Sequence, residues 1–202
     1  EEYLCGESLY ARIERTGSLQ TGELIRLGIE LCRIMNYLHS FKPNPILYLD
    51  LHPGNLLICR EQLKLIDFDQ AALASLSQER SVCYGTKGFA APEQYEGGTL
   101  DERTDIYAIG ALLYYMGTGH APEGEIKAGQ GSCRGDLYIL MGRCLRTEKK
   151  ERCQSVREVL EALEKLEARI FAERHIPLLR IAAAGSRSGI GVTHTALGAV
   201  RY

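Results

Sequence analysis

Between Thr21 and Ser40 the apolar residues Leu24, Leu27, Leu31, Ile34, Met35 and Leu38 return every three or four positions, which predicts a long amphipathic helix. The KPNP stretch at residues 42–45 forbids its continuation, because proline lacks the amide donor and crowds the preceding turn. Three short apolar runs follow, Ile46 to Leu49, Leu56 to Cys59 and Leu63 to Ile66. Each is too short for a helix and reads as a strand, and the polar Arg60, Glu61 and Gln62 turn the last two into a hairpin. From Gln70 to Gly98 no period survives and Ser, Gly and Gln prevail, so a long surface loop is predicted, of a length that in compact domains goes with function. Asp105 to Met116 is apolar nearly all round, which predicts a helix buried in the middle of a helical domain, ended by Gly117 and Gly119. Leu137 to Leu145 reads as a shorter helix. Ser155 with Glu158 three residues later is a capping-box pattern, and Val156, Val159, Leu160, Leu163 and Leu166 mark the inner face of the helix it opens. The order predicts an α+β, mainly helical domain with a small β-hairpin ledge. Beyond about Arg174 a strand-like apolar run, a Gly/Ser-rich turn and the start of a helix predict the beginning of a second unit over residues 174–202.

Composition narrows the choice of partners. A chain of 202 residues, 45% hydrophobic, with a formal charge of -2 fits one ordinary domain plus a piece of another. Near-neutral charge supplies no general pull toward nucleic acid or anionic membrane. No apolar run approaches the ~20 residues needed to span a bilayer, and the N-terminus lacks a signal-peptide layout. No nucleic-acid partner and no membrane segment are expected. The seven cysteines are scattered, odd in number and without a C-x-x-C pair, which reads as reduced, mostly buried thiols in a cytoplasmic protein. The chain begins at Glu1 rather than Met and is read as a piece of something longer.

The chemistry concentrates in YLDLHPGNLLICREQLKLIDFDQA, Tyr48 to Ala71. Asp50 and Asn55 stand five apart around a strand end and loop, while Asp67 follows the second hairpin strand and so returns to the same edge. Hard cations such as Mg²⁺ take a few carboxylate and amide oxygens supplemented by phosphate and water, so Asn55 and Asp67 suit a metal in a nucleotide site. Asp50 is left to receive a proton. This division of labour serves phosphoryl transfer, where the catalyst positions a hydroxyl and neutralises developing charge.

YLDLHPGNLLI, LKLIDFD, GTKGFAAPEQY and DIYAIGALLYYMGTG together resemble, in order and spacing, the C-terminal lobe of the bacterial eukaryotic-like Ser/Thr protein kinases. The resemblance covers Glu1 to roughly Glu173. It implies a kinase-like lobe over residues 1–173, with ATP and Mg²⁺ as cofactors and a Ser/Thr-bearing protein as substrate. Asp50 then matches the catalytic aspartate, Asn55 the second metal ligand, and Asp67 the aspartate that bridges metal and phosphates. Thr86 matches the threonine beside the catalytic aspartate, Glu93 pairs with Arg152, and Asp105 anchors the catalytic-loop backbone. EEYLCGESL resembles the hinge, so main chain at Glu2 and Leu4 would meet the adenine, with Leu57 among the nucleotide-contacting positions. The small N-terminal lobe is expected to be missing, since no G-x-G-x-x-G precedes the hinge, and the fragment alone is expected to have little or no activity.

Departures from the family pattern keep other readings open. Leu49 stands in place of an arginine that would grip a phosphorylated loop, Tyr48 in place of a histidine, and His52 in place of a lysine near the transferred phosphate. Asp69 replaces the glycine of D-F-G, either as a tolerant substitute for unusual backbone angles or as an extra metal-facing carboxylate. His39 reads as a packed or capping residue. DLHPGN with IDFD also resembles small-molecule phosphotransferases acting on aminoglycosides, choline or homoserine, and the departures together suit a pseudokinase scaffold. The tail AAAGSRSGIGVTHTA resembles a deviant Walker A loop with Val192 where the lysine would stand, or a structural glycine-rich turn.

Overall fold

The computed structural model describes residues 6–77, 85–123 and 135–187, with side chains described up to residue 173. Its contacts divide the chain into two compact units, Glu1–Leu166 and Glu167–Tyr202. The first unit is mainly helical and holds all of the site chemistry described below.

The elements run β1 (Glu7–Ser8), α1 (Leu9–Thr16), α2 (Thr21–His39), β2 (Ile46–Leu47), a 3₁₀ turn (Pro53–Asn55), β3 (Leu56–Cys59), β4 (Gln62–Leu65), β5 (Ala72–Leu73), α3 (Ala74–Ser77), α4 (Pro92–Glu96), α5 (Glu102–Thr118), α6 (Gly135–Cys144), a second 3₁₀ turn (Lys149–Glu151) and α7 (Val156–Arg187). Helix α5 is the hub. Its residues Ile106, Ile109, Leu112, Leu113 and Met116 are all buried, on several sides of the helix, as its nearly unbroken apolar sequence requires. The buried stripe of α2, from Leu24 through Leu31 to Met35, packs on it, and α6 packs on it through Leu137 and Met141. Gly28 lets these layers close. A Cβ there would meet Leu113 Cδ2 at 2.7 Å and Leu163 Cδ1 at 3.2 Å, so α2, α5 and α7 meet at a point where no side chain fits.

The ledge is an antiparallel sheet in the order β1-β3-β4, in which Leu56 faces Leu65 and Cys59 faces Gln62. A second antiparallel pair joins β2 to β5. The run from Ile46 to Leu49 is only half strand: after Leu47 the chain leaves the ladder, and Leu49 adopts a positive φ of 68°.

Two readings of the sequence are corrected. The stretch from Gln70 to Gly98 is not loop throughout, because β5, α3 and α4 lie within it; each is too short to display a period. The apolar run that begins at Ile176 is helical rather than strand-like, since α7 continues to Arg187. Ala182, Ala183 and Ala184 carry the highest helical propensity of any residue. Residues 188–196 of the glycine-rich motif lie outside the described residues, as do Glu2 and Leu4. The capping box at α7 is displaced by one residue. Ser155 Oγ accepts from Glu158 N at 3.2 Å, but the Glu158 carboxylate reaches back to Gln154 N, at 2.8 Å.

Candidate active site

Helix α5 holds the loop that carries Asp50. Asp105, in its first turn and buried, accepts Tyr48 N at 2.9 Å and Leu49 N at 2.8 Å, one on each carboxylate oxygen. A third bond, at 2.9 Å, joins Asp105 Oδ2 to His39 Nε2 at the end of α2. A buried carboxylate with three donors is well compensated, and the donors are thereby fixed in place. This explains the positive φ of Leu49: the chain turns so that consecutive amides converge on one side chain.

Beyond that anchor, Asp50 is half-buried and Asn55 is buried at the end of the 3₁₀ turn. Asn55 Nδ2 donates to the Asp50 carbonyl at 3.2 Å and lies 3.4 Å from Asp50 Oδ2. Its own carbonyl accepts Ile66 N at 3.0 Å, extending the β3–β4 ladder by one step and setting Asp67 just past the adjacent strand. The hydroxyl of Tyr48 closes the group. It donates to the carbonyls of Ile66 and of Asp67, the latter at 2.8 Å, and its ring meets Phe68 edge to face at 5.3 Å. Burial, followed by the charges of Asp50 and Asp67, pushes the Tyr48 hydroxyl well above the ordinary tyrosine range, so it remains a donor.

Thr86 comes from the far side of the segment after Asp67, and its Oγ1 donates to Asp50 Oδ1 at 3.0 Å. His52 Nδ1 accepts Gly54 N at 3.1 Å, which assigns the ring proton to Nε2, itself 3.6 Å from Asp50 Oδ2. Asp67 is exposed and has a φ of 61°, and its Oδ1 accepts Asp69 N at 3.2 Å. Asp69 is not among the described non-glycine residues with positive φ. The unusual backbone falls on Asp67 instead, so the glycine's conformational role does not pass to residue 69.

The donor set is compatible with Mg²⁺. With Nδ2 of Asn55 turned to Asp50, its Oδ1 is the atom left to ligate, and Asp67 presents an exposed carboxylate: two oxygen ligands, to which water and phosphate would add. Leu57 is half-buried on β3, paired with Ser8 on one side and Lys64 on the other.

A second constellation fixes the segment after Thr86. Arg152, with a fully buried side chain, forms a two-pronged pair with Glu93, NH1 to Oε1 at 2.7 Å and NH2 to Oε2 at 2.8 Å. Its remaining donors reach the carbonyls of Arg146, Thr147 and Arg103 at 2.7, 2.9 and 2.9 Å, and the guanidinium lies 5.1 Å from the Tyr107 ring centroid. Thr104 Oγ1 adds a bond to Glu93 Oε1 at 3.0 Å. Burial alone would raise the Glu93 carboxyl, but the bonds and charge of Arg152 outweigh it and hold it below the ordinary glutamate value.

Sequence reasoning passed over Gln94, which is buried and links the two constellations. Its Oε1 accepts Ala91 N at 3.0 Å and its Nε2 donates to the Leu49 carbonyl at 2.8 Å. A glutamine at the third position of a helix is a capping signal, which was legible; the contact with Leu49 was not. His39 is packed and also bound to Asp105, a role its place at the helix end did not announce.

The protein kinase domain family matches residues 1–173, and the chain belongs to that family. Among curated proteins it is 29% identical over 201 residues to Integrin-linked protein kinase 1 of Arabidopsis thaliana, an alignment covering 93% of this chain and 41% of that protein. It is also 29% identical over 201 residues to Serine/threonine-protein kinase A of Synechocystis sp., covering 85% of this chain and 38% of the relative. Serine/threonine-protein kinase PknB of Mycobacterium leprae is 32% identical over 126 residues, 60% of this chain and 20% of its own length. The chain thus spans about two-fifths or less of these relatives. Among the described residues no helix is long and apolar enough to cross a membrane.

Proposed function

We propose that residues 1–173 act as the catalytic lobe of a Ser/Thr protein kinase that moves the γ-phosphoryl group of ATP to a protein hydroxyl. The observation that carries this is the bond from Thr86 Oγ1 to Asp50 Oδ1, because it brings the segment leading to α4 against the carboxylate that Asn55 Nδ2 also approaches, at 3.4 Å. A hydroxyl seated between Asp50 and the nucleotide would attack phosphorus as the bond to the β,γ-bridging oxygen breaks. Its proton would pass to Asp50. Asn55 and Asp67 would hold Mg²⁺, which neutralises phosphate charge, and His52 Nε2–H would donate toward the transferred group. Glu93, Arg152 and Asp105 would act only by holding these segments. The 202-residue chain assayed alone is expected to transfer little or nothing.

The test offers labelled ATP to the longer parent protein, with itself, a generic basic protein and a panel of amino alcohols as acceptors. Transfer to protein Ser or Thr, abolished in Asp50→Asn with the melting temperature nearly unchanged, is the expected result. Transfer to amino alcohols alone would replace the reading with a small-molecule phosphotransferase. No transfer together with no Mg²⁺-dependent nucleotide binding would replace it with a scaffold.

A further inference from the structure

Outside the kinase site a pair of cysteine side chains meets where α6 ends. Cys144 is the last residue of α6 and Cys153 precedes α7; their Sγ atoms are 4.0 Å apart and both residues are fully buried. Each is held by a frame that does not depend on the other. Cys144 is pressed onto α5 at Gly110, where an added Cβ would lie 2.5 Å from Cys144 Cβ. Cys153 follows Arg152, whose guanidinium is fixed by Glu93 and three carbonyls.

A disulfide holds its sulfurs about 2.05 Å apart, so the two Sγ atoms already lie within one contact distance of a bond. We propose that Cys144 and Cys153 form a reversible internal disulfide when the chain meets a peroxide. The Cys153 thiolate attacks a peroxide oxygen and the O–O bond breaks, leaving Cys153 as a sulfenic acid; the departing hydroxide takes up the proton released on forming the thiolate and leaves as water. Cys144 sulfur then attacks Cys153 sulfur, the S–O bond breaks, and the expelled hydroxyl carries the Cys144 proton away as a second water. Two thiols are oxidised and one peroxide is reduced to two waters.

The polarity of the pair sets this order. The hydrogen bond from Cys144, opposed by burial and assisted by Arg143, holds the Cys153 thiol below the ordinary range; the same bond and burial push Cys144 well up. Cys32 on α2 belongs to the same buried region, but burial first and the Cys153 charge second push its thiol up, which keeps it protonated and slow to react. Peroxide is little larger than water, so the depth that shields these sulfurs from bulky reagents is a smaller obstacle to it. The disulfide closes a loop that contains Arg146 and Thr147, two of the carbonyls that receive Arg152. Oxidation therefore staples the cradle of the Glu93–Arg152 pair.

The full chain, purified reduced, is treated with graded hydrogen peroxide, quenched in acid, alkylated under denaturing conditions and mapped by mass spectrometry. The expected product is a linked peptide joining Cys144 to Cys153 and lacking two hydrogens, removed by dithiothreitol, absent from Cys153→Ser, and accompanied by a rise of several degrees in melting temperature. Recovery of both residues as free thiols while Cys5, Cys59, Cys83 or Cys133 is oxidised would overturn the proposal, as would a bond from Cys153 to Cys32. A linked form that melts no higher than the reduced chain would overturn the staple. The wild-type map decides the matter even where Cys153→Ser does not fold.

Discussion

At the scale of single residues, Tyr48 directs one hydroxyl at two carbonyls of the segment that carries Asp67, and so ties the loop before Asp50 to the turn after β4. Tyr48→Phe keeps the ring against Phe68 and removes only those bonds. It is expected to cost about 1–2 kcal/mol in chemical denaturation and to lower phosphoryl transfer by the parent protein while the fold survives. That Asp50 and Asn55 meet was legible because one short turn joins them, and Asp67 was legible as the residue past the second hairpin strand. Gln94 could be given no role, and His39 only that of a packed or capping residue, because a carbonyl 45 residues away and a carboxylate 66 residues away complete them, and no local pattern encodes a tertiary partner. Asp69 shows the reverse error, in which a family position was read for backbone freedom that the chain places two residues earlier.

At the scale of elements, the pair between Glu93 of α4 and Arg152 ahead of α7 is buried on the arginine side, and removing one partner leaves the other charge uncompensated. Glu93→Ala is expected to cost about 3–5 kcal/mol, read as a loss in unfolding free energy by urea titration. At the start of α5, Asp101 caps Arg103 N at 2.9 Å and also receives the Arg103 guanidinium at 2.8 Å and Lys149 Nζ at 3.1 Å. Asp101→Ala is expected to cost about 1–2 kcal/mol in the same assay through the lost cap alone. Helix α2 was legible because its apolar period of 3.6 runs over 19 residues, and the hairpin because two short apolar runs flank a polar turn. Strand β5 and helices α3 and α4 span two, four and five residues, below the length at which a period exists, and α7 runs past its expected end near Arg174 because the apolar run from Ile176, which reads as a strand, is helical.

At the scale of the whole molecule, two of the lowered carboxyls, the half-buried Asp101 and Glu93, bear most on how the fold meets acid. Burial would raise Asp101, but bonds from Arg103, its backbone amide and Lys149 bring it down to about 2, and Glu93 is lowered for the related reason given above. Folded values below the unfolded ones mean stability that is present above about pH 4–4.5 and is lost as pH falls through the folded values. The melting temperature is expected to hold from neutrality to about pH 5 and to drop steeply between about pH 4 and 2, with the drop reduced in Asp101→Asn. The general architecture, a helical body with a strand ledge, followed from the order of patterned segments; the joining of its parts did not, because that rests on buried polar side chains. One of these has a mechanical corollary. A single carboxamide, that of Gln94, clasps the carbonyl next to Asp50 and the first turn of α4 at once, so thermal drift in either segment drags the other along. The gap between them is thereby gauged by one rigid spacer, which vibration of the surrounding helices leaves unaltered.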